Sequence, residues 1–217
     1  MRDSSVKLSI DHVAVAVPDL DRASRALEMK SGHAATARIE QTAWGTDAVI
    51  MPLQHGFLEL IAVQCAKTAA QSMIGRRVAS VATRGGGVVA WAVAPEGIEA
   101  FALSRGLLLQ PGGRPVEAGG SAAYSWHMAG LVNAFFTDTP LLIRWDSTPA
   151  NPYTVAALSA GRTLHGRFSA IDIDGEPAAL DGWLGDVPRD FAVRRTQAGS
   201  PRLAVIAGAD GAEIFVP

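Results

Sequence analysis

Two residues in this sequence are of the right type, in the right surroundings, for proton or metal chemistry. His12 lies in the run Ile10-Asp11-His12-Val13-Ala14-Val15-Ala16-Val17-Pro18, and Glu59 in Gly56-Phe57-Leu58-Glu59-Leu60-Ile61. The first run alternates, the two-residue period of a strand with two different faces. Val13, Val15 and Val17 fall on one face, suited to packing beneath a helix. His12, Ala14 and Ala16 fall on the other, where small side chains leave space. In the second run a carboxylate interrupts an apolar segment. A carboxylate is seldom buried there unless it is paired or bound to a metal. Phe57, Glu59 and Ile61 share a face, so His12 and Glu59 are expected to look into one cavity. The plainer alternatives are a hydrogen-bonded core histidine and a salt-bridged carboxylate.

Tyr124, Trp126 and Met128 alternate along another strand-like stretch, with Ser125 and His127 on its opposite face. Tyr124, Trp126 and His127 are candidate contacts to a ligand; the aromatic pair would otherwise be core. No other catalytic pattern is present. There is no Gly-x-Ser-x-Gly elbow, and no Cys-x-x-Cys or His-Glu-x-x-His pair. The glycine triplet Gly85-Gly86-Gly87 lacks the Lys-Ser/Thr of a phosphate loop and precedes a strand, so no nucleotide cofactor is expected.

Composition narrows the function class. The 217 residues are 48% hydrophobic and 18% charged with a net charge of −2, a globular balance large enough for one or two compact domains. No Lys/Arg-rich run argues for nucleic acid. No apolar run approaches the ~20 residues of a membrane span, and residues 1–7 carry no apolar signal core. The lone Cys65 rules out an internal disulfide and fits a reducing compartment. A cytoplasmic protein with a small-molecule ligand is the expectation.

The elements that must position these residues repeat. A strand over 8–17 is followed by a helix opened by Pro18-Asp19, with Leu20, Ala23 and Leu27 as its apolar stripe and Gly32 as its stop. Strands over 34–41, 46–53 and 56–64 follow, the last two joined by a hairpin at Gln54-His55-Gly56. This is a βαβββ unit over 8–64. A connecting helix over 66–83 and a glycine linker occupy 65–86. A second βαβββ unit spans 87–146, with strands over 88–94, 107–110, 122–131 and 140–145 and a helix over 96–104. A linker over 147–164 leads to a shorter third unit over 165–217, with strands over 167–174, 191–196, 202–207 and 212–216, a helix over 176–184, and a turn at Asp210-Gly211.

Tandem βαβββ units opening with I-D-H-V-A-V-A-V-P-D-L and closing with F-L-E-L-I resemble the vicinal oxygen chelate superfamily. Trp44-Gly45-Thr46, and Pro140-Leu141-Leu142-Ile143-Arg144-Trp145 with Asn151-Pro152 downstream, resemble its glyoxalase-like branch. The resemblance implies an α+β fold, a glyoxalase/bleomycin-resistance-like open barrel around a cleft, with the third unit partial. It also implies a homodimer and an enzyme of lyase, isomerase or dioxygenase type acting on a small oxygenated or carbonyl-bearing molecule. Metal-dependent members take a His from the first strand of a unit and a Glu from its last, holding Zn, Ni, Mn or Fe with positions open for substrate. His12 and Glu59 match those positions, Glu59 also serving as a candidate catalytic base. In the second unit the matches fall near Val89 and Arg144, with Val89, Trp91 and Val93 expected to fill the open face. Arg144 would then face Glu59 and grip an anionic ligand or form a salt bridge. In the third unit the match is Glu213, which would complete a His12–Glu59–Glu213 site if the first and third units paired. The adjacent first and second units are the favoured pair. Trp44 is the remaining candidate contact. An incomplete ligand set keeps a second reading open: a protein that binds or sequesters a small ligand without chemistry.

Overall fold

The opening strand, β1 (Ile10–Ala16), runs through the middle of an eight-stranded sheet. A computed structural model describes residues 8–32, 34–114, 124–146, 151–196, 204–207 and 213–216. Helix α1 (Leu20–Ser31) follows β1. Asp19 caps it, accepting from the Arg22 amide, and Gly32 closes it in the left-handed region. Then come β2 (Ala37–Gln41), β3 (Thr46–Pro52) and β4 (Phe57–Val63). β4 returns beside β1 in parallel, pairing His12 with Phe57 and Ala14 with Glu59.

The expected connecting helix is two: α2 (Ala66–Gln71) and α3 (Met73–Ala82). Ser72 breaks the helix with extended backbone and caps α3 through the Gly75 amide. β5 (Gly87–Val93), α4 (Ile98–Leu103), β6 (Gln110–Arg114), β7 (Tyr124–Ala129), α5 (Leu131–Phe136) and β8 (Leu141–Trp145) make the second unit. It has the same internal pairing as the first, β8 lying parallel to β5. The halves join through antiparallel β1 and β5, giving the order β2-β3-β4-β1-β5-β8-β7-β6. The first and second units are therefore the pair that encloses the cleft.

Helix α6 (Pro152–Ser159) lies within the expected linker. Asn151 caps it, and the Thr154 hydroxyl donates to the carbonyls of Leu53 and Gly56. β9 (Arg167–Ile173), α7 (Pro177–Leu184), β10 (Ala192–Arg195), β11 (Ala204–Ala207) and β12 (Glu213–Val216) reproduce the element order of the third unit. Their pairing differs. β9 lies parallel to β10 and antiparallel to β11, in a separate sheet of order β10-β9-β11-β12. The Asp210-Gly211 turn lies outside the described residues. Among the described residues no helix is long and apolar enough to cross a membrane.

Two cores result from the alternation of β1. On its valine face, Val13, Val15 and Val17 pack with Leu20 of α1, Ile98 of α4 and Phe168, Ile171 and Leu180 of the second sheet and its helix. On its alanine face, Ala14 and Ala16 pack with Ile74 and Val78 of α3, Phe135 of α5 and Tyr153 of α6. Three helices thus fill part of the concave face, and the remainder is a cavity.

The second sheet is fastened at named points. The Asp138 carboxylate accepts from the Asp174 and Gly175 amides while its carbonyl accepts from Trp91 Nε1. Arg105 donates to the carbonyls of Trp183 and Leu184 at the end of α7, and to that of Phe101, whose ring lies 3.4 Å beneath its guanidinium.

Candidate functional site

The cavity measures about 400 Å³ and is bounded by both units. His12 and Glu59 both line it, on adjacent parallel strands. Glu59 stands two residues beyond Phe57, the partner of His12. Strand spacing and rise therefore set the two Cα positions roughly 8 Å apart on one sheet face.

The surroundings of His12 depend on a bulge. Ile10 pairs with Val93 and His12 with Ala92, so Asp11 is an extra residue on β1. By simple alternation Asp11 belongs with the valines. The bulge instead brings its carboxylate to the imidazole, with Asp11 Oδ1 2.7 Å from His12 Nδ1. The second oxygen, Oδ2, accepts from Trp145 Nε1 at 3.0 Å. Asp11 is 8% exposed and both of its oxygens are engaged. Gly56 lets the β3–β4 hairpin lie against the bulge. Its φ is +87°, and a Cβ there would sit 2.6 Å from the Asp11 carbonyl oxygen. The imidazole stacks on Phe57 at 4.6 Å with 15° between planes. Nδ1 faces Asp11, so Nε2 is the nitrogen left for a ligand; a carboxylate accepting from Nδ1–H selects that tautomer.

Glu59 is positioned from its other side. Gln41 Nε2 donates to Glu59 Oε1 at 2.8 Å, and Thr46 Oγ1 donates to Gln41 Oε1 at 2.8 Å. Thr46 faces Gln41 across the β2–β3 ladder, and its hydroxyl fixes which end of the amide meets the carboxylate.

Aromatic rings make most of the wall. Trp126 and Trp145 are cross-strand partners on β7 and β8. Trp44 lies in the turn between β2 and β3, edge-on to Phe135. That turn is held by Gly45, whose φ is +69° and whose added Cβ would lie 2.5 Å from the Ala69 amide. Tyr124 shares the Trp126 face and packs its ring on Tyr153 behind the wall.

Tyr124 thus does not border the cavity, and three further expected site residues lie elsewhere. Leu141, Ile143 and Trp145 face the cavity, so alternation turns Arg144 to the other face of β8. There it is ion-paired with Glu99 and near His127 and Asp146. Arg144 does not meet Glu59. His127, cross-strand to Arg144, also faces outward, with Nδ1 2.8 Å from Asp146 Oδ1. That contact is the chief cause holding the Asp146 carboxyl below its ordinary value. Glu213 is exposed in the second sheet, paired with Ala207, and does not border the cavity.

Of the three residues expected to fill the open face of the second unit, Val89 packs in the concave-face core, while Trp91 and Val93 belong to the valine core. Trp91 pairs with Val13 and shares its face, buried against Phe191. Ala90 and Ala92 take the concave side. The residues sequence reasoning missed are Asp11, Gln41, Thr46, Trp145 and Tyr153. For Asp11 a signal was present: it is a carboxylate in an apolar run, the same anomaly that marks Glu59.

The donor set does not fit a resident divalent metal. His12 and Glu59 come from the first unit, while the concave faces of β5 and β8 bring alanine, leucine, isoleucine and tryptophan. Asp11 is committed to His12 and Trp145. Among the described residues no group of three His, Cys, Asp or Glu could hold a metal ion.

A family model described as a glyoxalase-like domain matches residues 10–177. No curated protein matches the chain. Among solved structures, a hypothetical protein from Staphylococcus aureus is similar, with a TM-score of 0.62 at 14% identity, covering 96% of this chain and 98% of that one. The shared fold thus includes the second sheet. Methylmalonyl-CoA epimerase from Mycobacterium tuberculosis matches with a TM-score of 0.46 at 20% identity over 72% of this chain and 96% of that one. A variant of the Streptomyces coelicolor methylmalonyl-CoA epimerase, in complex with 2-nitronate-propionyl-CoA, matches with a TM-score of 0.43 at 16% identity over 68% of this chain and 100% of that one. The chain belongs to the glyoxalase-like domain family of the vicinal oxygen chelate superfamily.

Proposed function

We propose that this protein is an isomerase or lyase that moves a proton on a small carbonyl-bearing molecule, using His12 and Glu59 in place of a metal. The observation that carries this reading is the Asp11–His12 pair. The 2.7 Å contact at Nδ1 gives Nε2 the lone pair, the form in which an imidazole accepts a proton. Asp11 then stabilises the imidazolium that forms. Glu59, steadied by Gln41, stands on the same face to take or return a second proton. The aromatic walls of the cavity limit the water that reaches the exchanging position. Lyase and isomerase chemistry both fit two such groups. A dioxygenase needs a metal that this donor set does not fit. Among the described residues the cavity walls carry no Lys or Arg, so a neutral or cationic ligand suits them better than the anion expected from Arg144.

A binding role without turnover is favoured by one observation, the apolar contribution of the whole second unit. Deuterium wash-in separates the two readings. Chelator-treated protein in D₂O is incubated with acetophenone, phenylacetaldehyde and hydroxyacetone, and loss of the α-proton signal is followed by NMR. Acceleration by the wild type, lost in His12→Ala and Glu59→Gln, supports proton transfer. Equal rates in wild type and both variants overturn it.

A further inference from the structure

We propose that the ligand of this cavity is an amphiphile, with a hydroxyl-bearing carbonyl end held at His12 and an apolar chain or ring of about six carbons or more laid along the second unit. The proposal rests on the cavity being the working site and deepens that reading by naming the ligand class. It comes from how the lining divides at the junction of the two units. Every ionisable or amide side chain among the lining residues stands on β1, β2 or β4 of the first unit. The second unit brings Ala90, Met128, Leu131, Leu141 and Ile143.

Its tryptophans add no polar subsite. Trp145 gives its indole proton to Asp11 and Trp91 gives its own to the Asp138 carbonyl. Trp126 lays Nε1 over Gly112 of β6, which has no side chain there. A polar ligand group placed in that half would lose its water and gain no partner. At the other end, His12 Nδ1 is taken by Asp11, and Nε2 is the nitrogen able to accept from a ligand hydroxyl. Between the two halves the floor is open, because small residues face each other across the junction, Ala14 beside Ala90. The space of about 400 Å³ holds roughly a dozen non-hydrogen atoms at about 30 Å³ for each water-sized group. A three-carbon molecule at His12 would leave most of it to water against apolar walls.

A homologous series of 1-hydroxyalkan-2-ones with three, five, seven, nine and eleven carbons tests this on the purified full-length protein. Binding is read by calorimetry and by tryptophan emission. Affinity is expected to rise about fourfold for each methylene added and to level off near nine carbons. Replacing the terminal methyl of 1-hydroxynonan-2-one by a hydroxyl gives 1,8-dihydroxyoctan-2-one, which is expected to bind at least about tenfold more weakly. Ala90→Leu narrows the floor and should move the levelling point to shorter chains. Met128→Ala opens the wall at a half-buried position and should move it to longer ones, which keeps the test decisive if the leucine variant does not fold. The proposal is overturned if affinity is flat along the series, if the diol matches its methyl counterpart, or if the levelling point stays fixed in the folded variants. None of these readings uses turnover, so proton transfer can fail while the chain-length dependence stands, and the reverse.

Discussion

Replacing Asp11 by asparagine tests the site at its centre. The carboxylate serves two donors, His12 Nδ1–H at 2.7 Å and Trp145 Nε1–H at 3.0 Å. The indole has only that proton to give and no other tautomer. In Asp11→Asn the single carboxamide oxygen therefore stays with Trp145, and the NH₂ turns toward His12. Nδ1 can meet it only by becoming the acceptor, so the proton moves to Nε2. Every buried group keeps a partner, and the stability cost is about 1 kcal/mol, the charge assistance lost. Asp11→Ala instead strands two part-buried donors at about 1–3 kcal/mol each, so it should cost about 2 kcal/mol or more. Nitrogen-15 spectra of the imidazole separate the two tautomers directly, and urea unfolding gives the stabilities. Proton transfer by Nε2 should fall about 10²- to 10⁴-fold in Asp11→Asn although the protein stays folded. The reasoning is refuted if Nε2 stays unprotonated in the asparagine variant, or if the alanine variant is no less stable than the asparagine one.

Other expectations follow from the supports of the site. Gly45→Ala puts a Cβ 2.5 Å from a backbone nitrogen at a φ of +69°, so it should lose at least about 2 kcal/mol and shift Trp44 emission; unchanged unfolding would contradict that placement. Arg105→Ala removes bonds to three carbonyls, two of them ending α7, and should raise hydrogen exchange in α7 more than in β1. The Asp146 carboxyl is held low chiefly by its hydrogen bond to His127. A depressed carboxyl contributes stability above its unfolded value of about 3.9, and that stability is lost as pH falls through the folded value. His127→Ala should therefore flatten the acid limb of a pH–stability curve there, and an unaltered limb would count against the pair.

The first unit was legible because its signals are local. Alternation in β1, the Asp19 cap, the Gly32 stop and a carboxylate inside an apolar strand are each read within a few residues. Asp11 was marked only as a carboxylate in an apolar run; its direction was not legible, because the bulge that re-aims it is defined by the register of β1 against β5, about 80 residues away at Trp91 and Ala92. Arg144 went to the wrong face for a related reason. Family rhythm aligns it with Glu59, whereas the ladder with β7 pairs Ile143 with Met128 on the concave side and Arg144 with His127 on the other. Helix α5 has six residues, too few for a helical period to separate from a strand. The third unit showed its elements but not their pairing, since β9 chooses between β10 and later strands through tertiary packing on the valine core.

The most direct test of the central claim is a metal titration of the purified protein. Zn²⁺, Ni²⁺, Mn²⁺ and Fe²⁺ are added in turn while the His12 imidazole resonances and bound metal are followed. Substoichiometric metal is expected after dialysis, with His12 signals unmoved by one equivalent of any ion. One equivalent of tightly bound metal, lost together in His12→Ala and Glu59→Gln, would contradict it.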